Sequence, residues 1–334
     1  MSYQSHNYLV CVRCFTFNQT QFIKDCLNGF TGQKTTFPYV CTIVDDASTD
    51  GEQNVINEYL QKNFDLEDKI LARKEETEDY RLIFARHRTN INCNFAVLYL
   101  KYNHHSSKEL KSRKLKYIAE WLDKAKYIAL CEGDDYWTDS NKLQKQVDFL
   151  ESHPDYGLVH ANANSFFQET RRMVITKPID NYKEKGFNDI IWRNPIITLT
   201  TLYRNDAVRG YDDFLNGTRF GIGDLPRWLY ISYRYRVHFM NETVGVYRHV
   251  SGSASHGKTY DKRKKYLDDI FKVVSFFAEK YGVEDFDKLE NRYHVNLFNE
   301  AFAFKKKNDA ISEFKKIKHK TFRMYIKRII LLFT

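Results

Sequence analysis

Three stretches of this sequence end an apolar run in groups able to bind cations, hydroxyls or phosphates. The first, "YLVCVRCF", leads into Thr16, Phe17 and Asn18. The second, "YVCTIVDD", ends in Asp45 and Asp46. The third, "YIALCEGDDYW", delivers Glu132, Asp134 and Asp135 at the tip of a strand-forming run. Carboxylates crowded in this way repel one another unless a cation sits among them. A few hard oxygen ligands suit Mg²⁺ or Mn²⁺, ions that complete their shell with phosphate oxygens. The pattern therefore points to a divalent ion at a strand tip that meets a diphosphate, with Asp45 or Asp46 accepting hydrogen bonds from a base or ribose. A plain structural role stands beside this one. An acid at a strand end caps the helix that follows, and this accounts for part of "DDASTDG". Neither GxGxxG nor GxxxxGK[ST] follows the first strand, so no glycine loop cradles the phosphates and a metal must carry much of their charge.

The elements that must position these groups follow from hydrophobic spacing. "YLVCVRCF" and "YVCTIVDD" predict buried strands. Between them, Phe22, Ile23, Cys26, Leu27 and Phe30 fall at helical spacing, and Val55, Ile56, Tyr59 and Leu60 give a second helix its buried face. Thr49 or Asp50 stands where a cap is needed. Strand, helix, strand, helix opens a doubly wound α/β fold, Rossmann-like, with a mostly parallel sheet flanked by helices. Ligands of such sheets bind beyond the carboxyl ends of the strands, where all three polar clusters fall. "KILARK" and "RLIFARH" are weaker strands, and "NHHSSKELKSRKLK" is an exposed basic insertion. "KYIALC", "YGLVHANANSFF", "RMVIT", "IITLTTLYR" and "RVHFMNETVGVYRH" are further strands. "KLQKQVDFLESHP" and "GDLPRWLYIS" are helices, the latter with Pro226 near its first turn.

The chain has 334 residues, enough for one large α/β domain with additions or for two ordinary domains. Its net charge of +9 admits nucleic acid, an anionic membrane surface or anionic small substrates as partners. No nucleic-acid motif is present and aromatics do not interleave with the basic runs, so nucleic acid is not expected. The six cysteines sit mostly in apolar runs and predict reduced, buried thiols. Cys11 and Cys14 form a lone CxxC on a strand, where they face opposite sides, so no zinc site is expected. The N-terminal segment lacks the pattern of a signal peptide, which predicts a cytoplasmic location. No apolar run approaches the roughly 20 residues of a spanning helix.

"TFN" after the first strand, "VDDASTDG", "EGDDYW" and "GIGDLPRWLYIS", in that order, resemble family-2 glycosyltransferases of the GT-A fold. The bacterial enzymes that build capsular and other surface polysaccharides are the nearest in look. The resemblance spans about residues 7 to 255. It implies a metal-dependent, inverting transfer from a nucleotide-sugar, with UDP the favoured nucleotide, to a glycan or lipid-linked glycan hydroxyl. By position, Thr16, Phe17 and Asn18 with Asp45 and Asp46 match the nucleotide-binding edge. Glu132-Gly133-Asp134 stands where the family has its DxD motif. Asp134 matches the position that binds Mn²⁺ or Mg²⁺, Glu132 departs from the pattern at the first position, and Asp135 is the usual following acid. Asp224 matches the catalytic base, though it also stands where a helix cap would. In "VYRHVSGSASH", a region that folds over the diphosphate in relatives, Arg248, His249 and His256 are candidates for diphosphate or metal contact. Surface positions in a loop are the plain alternative for them. Trp137 fits a sugar-stacking wall or a core aromatic.

The implied organisation is a catalytic domain over 1–255, with a nucleotide-binding half at about 1–140 and an acceptor half at about 141–255. A basic helical extension over 256–334 follows. Its end carries seven Lys or Arg and no acid over 314–334. There Phe314, Ile317, Phe322, Tyr325, Ile326, Ile329, Ile330 and Phe333 share one face. That suits either peripheral contact with an anionic membrane or packing on the protein. Two other functions use similar residues. A nucleotidyltransferase that makes nucleotide-sugars also uses acids and Mg²⁺, but "TFNQTQF" is not the Gly-rich basic loop such enzymes carry. An inactive, glycosyltransferase-like binding protein should have lost acids at the metal or base position, and both Asp134 and Asp224 are present.

Overall fold

The computed structural model describes residues 8–105, 108–180, 182–250 and 257–331. Its strands are β1 (Val10–Thr16), β2 (Tyr39–Asp45), β3 (Phe64–Asp65), β4 (Arg73–Glu76), β5 (Tyr80–His87) and β6 (Cys93–Leu100). They continue with β7 (Tyr127–Leu130), β8 (Tyr136–Trp137), β9 (Tyr156–Phe167), β10 (Arg172–Val174), β11 (Leu202–Arg204) and β12 (Arg236–His249). All belong to one sheet in the order β3-β5-β6-β2-β1-β7-β11-β9-β12-β8, with β4 on β5 and β10 on β9. The centre is parallel: β6 with β2, β2 with β1, and β1 with β7. Outside it, β5 with β6, β3 and β4 with β5, β11 with β7 and with β9, β10 with β9, and β12 with β8 are antiparallel. The expected mostly parallel sheet is thus corrected to a mixed one. Hairpin-type returns such as β5 to β6 need no crossover helix, and periodicity alone does not distinguish the two connections.

The central strands explain themselves. Every residue of β2, β6 and β7 is buried, so these strands are continuous apolar runs rather than alternating ones. The helix Ile23–Thr31 buries Ile23, Cys26, Leu27 and Phe30, and the helix Glu52–Asn63 buries Ile56, Tyr59 and Leu60, as their spacing predicts, whereas Phe22 and Val55 are only half-buried. The six cysteines are free and buried. Sequence reasoning passed over β6 altogether, although "CNFAVLYL" is a buried inner strand. The basic insertion 103–116 is not wholly exposed as expected, because His104 and Lys114 are buried.

The chain divides into two units. The sheet unit draws on residues up to Glu184, on Ile196–Arg209 and on Arg234–Arg248. The helical unit takes Lys185–Pro195, Gly210–Tyr233 and the residues from His249 on. Within the helical unit, Tyr260, Phe298, Ala301, Ala310, Phe314, Ile317 and Leu331 form a core. The 314–334 segment is not one amphipathic helix. Phe314 and Ile317 close the helix Lys307–Lys316 onto that core, and a separate helix, Phe322–Ile330, begins after a break. Phe333 lies outside the described residues. Among the described residues, no helix is long and apolar enough to cross a membrane.

Candidate active site

Thr16 and Asp45 are register partners at the carboxyl ends of β1 and β2, and β7 runs parallel on the other side of β1. The backbone carries this order past the strands. Asp46 N–H donates to the Thr16 carbonyl at 3.0 Å, and Gly133 N–H donates to the Phe15 carbonyl at 3.2 Å. The Glu132 carboxylate accepts the Phe15 N–H at 3.1 Å and lies 4.0 Å from the Arg13 guanidinium. A side chain here does the work of a ladder carbonyl and locks the acidic tip to β1. Gly133 is required at this point. A Cβ there would come within 2.3 Å of the Thr16 hydroxyl and 2.4 Å of Gln19 Oε1.

Arg248 fixes the tip from the other side. Its backbone N–H donates to Asp135 Oδ1 at 2.8 Å, and its Nε donates to the Asp134 carbonyl at 2.8 Å. The same guanidinium reaches Asp25 at 2.9 Å and Gln168 at 3.2 Å and lies over the Phe22 ring. With 7% of its side chain exposed, Arg248 is committed to holding the acids.

The electrostatics follow from this crowding. Burial first, then the neighbouring charges of Asp134 and Glu132, push the Asp135 carboxyl well up. Burial also raises Asp134, with Arg248 opposing it. Glu132 keeps 38% of its side chain exposed, and desolvation raises it against the pull of Arg13. Burial is the first cause for all three carboxyls, and Arg13 and Arg248 offset only part of it. Among the described residues, no group of three or more His, Cys, Asp or Glu could close around a metal by itself. What fits is an open arrangement, in which the part-exposed Asp134 supplies oxygen and a ligand's own oxygens complete the shell.

The nucleotide-edge candidates are built into two turns. Asn18, at φ 54°, accepts the Thr49 N–H at 2.8 Å, and its own N–H donates to Ser48 Oγ at 2.9 Å. Phe17 is 43% exposed beside it. Asp45 is buried, accepts from Ser48 N–H at 3.1 Å and Gln53 Nε2 at 2.7 Å, and is raised by desolvation. Asp46 is buried, accepts from His104 N–H at 2.7 Å and His105 N–H at 3.2 Å, and pairs with Lys114. Both acids carry structural bonds but neither caps the following helix: Asp45 holds the turn at Ser48 and Gln53, and Asp46 holds residues 104–105 and Lys114. Asp50 supplies the expected cap, accepting the Glu52 N–H at 3.0 Å, although Gly51 occupies the N-cap position.

Sequence reasoning missed Glu52. This fully buried carboxylate accepts the Gln19 N–H at 2.9 Å and the Ser48 hydroxyl at 2.8 Å, and also the Thr16 hydroxyl. It ties the first-strand turn to the second. A Glu at the first turn of a helix looks like ordinary dipole compensation, so nothing in the sequence separates it from a surface acid. Trp137 proves to be a core residue: it is 4% exposed, packs edge-on against Phe30 and donates to the Leu199 carbonyl at 2.7 Å.

Asp224 and His249 belong to the helical unit, and His256 lies outside the described residues. Asp224 is the N-terminal flank of the helix Leu225–Arg234. Its carbonyl accepts the first helical bond from Trp228 at 3.0 Å, and its carboxylate accepts the Leu225 N–H at 2.8 Å. It also lines a cavity of about 280 Å³ within that unit. Burial raises the Tyr266 hydroxyl there, with the Asp224 charge adding to it.

No family model matches the chain. Uncharacterized proteins of Mycobacterium tuberculosis and Mycobacterium bovis are 28% identical over 253 residues, covering 75% of this chain and 61% of theirs. The chain thus spans about three fifths of the curated relatives it matches. Three solved structures share its architecture. Staphylococcus aureus TarS 1–349 aligns with a TM-score of 0.54 at 14% identity, over 92% of this chain and 81% of that one. Its complex with UDP-GlcNAc gives 0.51 at 14% identity, over 90% and 82%. The mannosyltransferase PcManGT of Pyrobaculum calidifontis, in complex with GDP-Man and Mn²⁺, gives 0.52 at 14% identity, over 98% and 85%. The likeness is one of fold: the chain has the GT-A-like, Rossmannoid architecture.

Proposed function

We propose that the chain is an inverting glycosyltransferase that moves a sugar from a nucleoside diphosphate sugar to a hydroxyl of a glycan or lipid-linked glycan. The observation that carries this reading is the tip 132–135. Carboxyls raised by their surroundings stand at the carboxyl ends of parallel strands, clamped by Phe15 N–H on one side and Arg248 on the other. The fold supports it, because TarS is seen with UDP-GlcNAc and PcManGT with GDP-Man and Mn²⁺ on the same architecture.

Asp134 is the residue to hold Mn²⁺ or Mg²⁺, with Glu132 and Asp135 shaping its surroundings. A bound ion would offset the charge that develops on the leaving diphosphate. The turns bearing Thr16, Phe17, Asn18, Asp45 and Asp46 form the nucleotide edge, and UDP is the favoured nucleotide. Asp224 takes the proton of the acceptor hydroxyl as that oxygen attacks the anomeric carbon from the face opposite the diphosphate. The bond to the departing oxygen breaks as the new one forms, configuration inverts, and no enzyme-bound sugar is required. The capping bond to Leu225 N–H holds the carboxylate in a set orientation. His249 is a further candidate near the diphosphate, as is His256 outside the described residues. Arg248 acts by holding Asp134 and Asp135. The setting is surface polysaccharide synthesis at the cytoplasmic face of the membrane, with the helix Phe322–Ile330 as the peripheral contact within 314–334.

The test is thermal stabilisation by UDP, GDP, CDP and dTDP, each with Mn²⁺ and with EDTA, followed by turnover of the matching nucleotide-sugars. Mn²⁺-dependent stabilisation by one diphosphate and release of that diphosphate from its sugar are expected. Indifference to every nucleotide in the presence of Mn²⁺ would sink the reading.

A further inference from the structure

The helical unit holds a feature that the transfer reaction alone does not explain. The cavity containing Asp224 is also lined by two cations, Arg193 and Arg292. Arg193 follows the short helix Phe187–Ile190, its N–H bonded to the Asp189 carbonyl at 2.9 Å, and Arg292 lies on the helix Phe286–Ala303. Among the described residues, neither guanidinium has a hydrogen-bond or ion-pair partner. Elsewhere in the same unit arginine finds a carboxylate, as Arg263 does with Glu300. Partial burial, together with the charge of Arg193, holds Arg292 below its ordinary basicity. Two like charges lining one cavity, with Asp224 the one acid in that lining, leave it with an excess of positive charge that suits a further anion. Guanidinium groups match the paired oxygens of phosphate and carboxylate.

The rest of the lining fits a polyol that bears such a group. Trp192 and Tyr293 supply flat apolar surface. Tyr293 is fixed, because its hydroxyl donates to Asp268 at 2.7 Å and its ring stacks on Phe271 at 4.2 Å. A volume of about 280 Å³ admits one sugar-sized moiety rather than a length of polymer.

We propose that this cavity is the acceptor subsite and takes an oxyanion-bearing polyol, its phosphate or carboxylate on Arg193 and Arg292 and its hydroxyl on Asp224. This rests on the transferase reading and narrows its acceptor to an anionic one. Titration of the full chain with inorganic phosphate, glucuronate and glucose, without metal, tests it. Phosphate or glucuronate binds and glucose does not; the stronger of the two anions tells a phosphorylated acceptor from a uronic acid. Arg193→Gln, at an exposed position, and Arg292→Gln each weaken anion binding by about tenfold or more, and Arg292→Lys restores part of it. Equal anion affinity in the wild type and in Arg193→Gln overturns the subsite. UDP binding with Mn²⁺ on the same sample separates the two ideas. Anion indifference with nucleotide binding intact removes the subsite alone, whereas anion binding without nucleotide binding removes its role as acceptor site.

Discussion

Arg248 and Asp135 are joined through the backbone: the Arg248 N–H donates to Asp135 Oδ1 at 2.8 Å while its side chain holds the preceding carbonyl. The guanidinium is also the cation that works against the upward push on Asp135. Arg248→Ala leaves that buried carboxyl uncompensated, at a cost of about 3–5 kcal/mol. Urea denaturation should show the loss. Arg248→Lys should recover only part of it, because an ammonium cannot reach Asp134, Asp25 and Gln168 together. A midpoint unchanged in Arg248→Ala would show that the tip does not depend on it.

Asp134→Ala should abolish Mn²⁺-dependent nucleotide binding while leaving the fold intact, as read by calorimetry with and without the ion. The pH dependence has a definite sign. A carboxyl whose pKa is raised stays protonated to a higher pH, and a protonated carboxyl is a poor cation ligand. Binding in the wild type should therefore weaken on acidification before ordinary exposed Asp and Glu titrate. Constant Mn²⁺-dependent affinity down to the ordinary carboxylate range would contradict the raised values.

For Asp224, two substitutions separate the cap from the base. Asparagine caps as well as aspartate, so Asp224→Asn should keep its melting temperature yet lose about 10²–10⁴ in turnover. Asp224→Ala should lose turnover too and about 0.5–2 kcal/mol of stability. Full transfer by Asp224→Asn would exclude a base at this position.

Lys142 is wholly buried, bonded to Gln146 Oε1 at 2.9 Å and lying 4.2 Å from the Trp137 ring centre, and its pKa is lowered to about 7. Below that value it is charged both folded and unfolded, and burying the charge carries its full cost. Above it the folded chain binds fewer protons than the unfolded one, so stability rises with pH until the unfolded lysine also titrates. Lys142→Met removes this dependence. The difference in stability between variant and wild type should shift by about 1.4 kcal/mol per pH unit between pH 7 and 9, in favour of wild type as pH rises. A difference that stays flat across that window would show the ammonium to be solvated.

The helix Phe322–Ile330 presents Phe322 (80% exposed) and Ile329 (54%) amid Lys and Arg. Phe322→Ser with Ile329→Ser should reduce sedimentation with phosphatidylglycerol vesicles while the melting temperature holds, since neither residue belongs to the core. Undiminished sedimentation would leave this helix without a membrane role.

The strand tips were legible because apolar runs that end in acids are conspicuous, and the helix faces because their spacing is periodic. The mixed sheet was not. β5 and β6 pair antiparallel, yet a buried antiparallel strand carries the same continuous apolar run as a parallel one, and β6 was overlooked between polar neighbours. The roles of Arg248 and Glu52 were hidden for another reason. Each is defined by partners far along the chain, such as Asp25 for Arg248 and Thr16 for Glu52. The C-terminal segment misled through its single apolar face, because Phe314 and Ile317 bury where Phe322 does not.

The sheet unit is stitched from three separated lengths of chain, and its acidic tip at 132–135 is completed by a residue more than a hundred positions later. During synthesis from the N-terminus, the tip therefore emerges long before its clamp. A nascent chain halted before Arg248 carries the acids without the group that orients them. Nucleotide binding should consequently appear late and abruptly as the chain lengthens, rather than growing with each strand added.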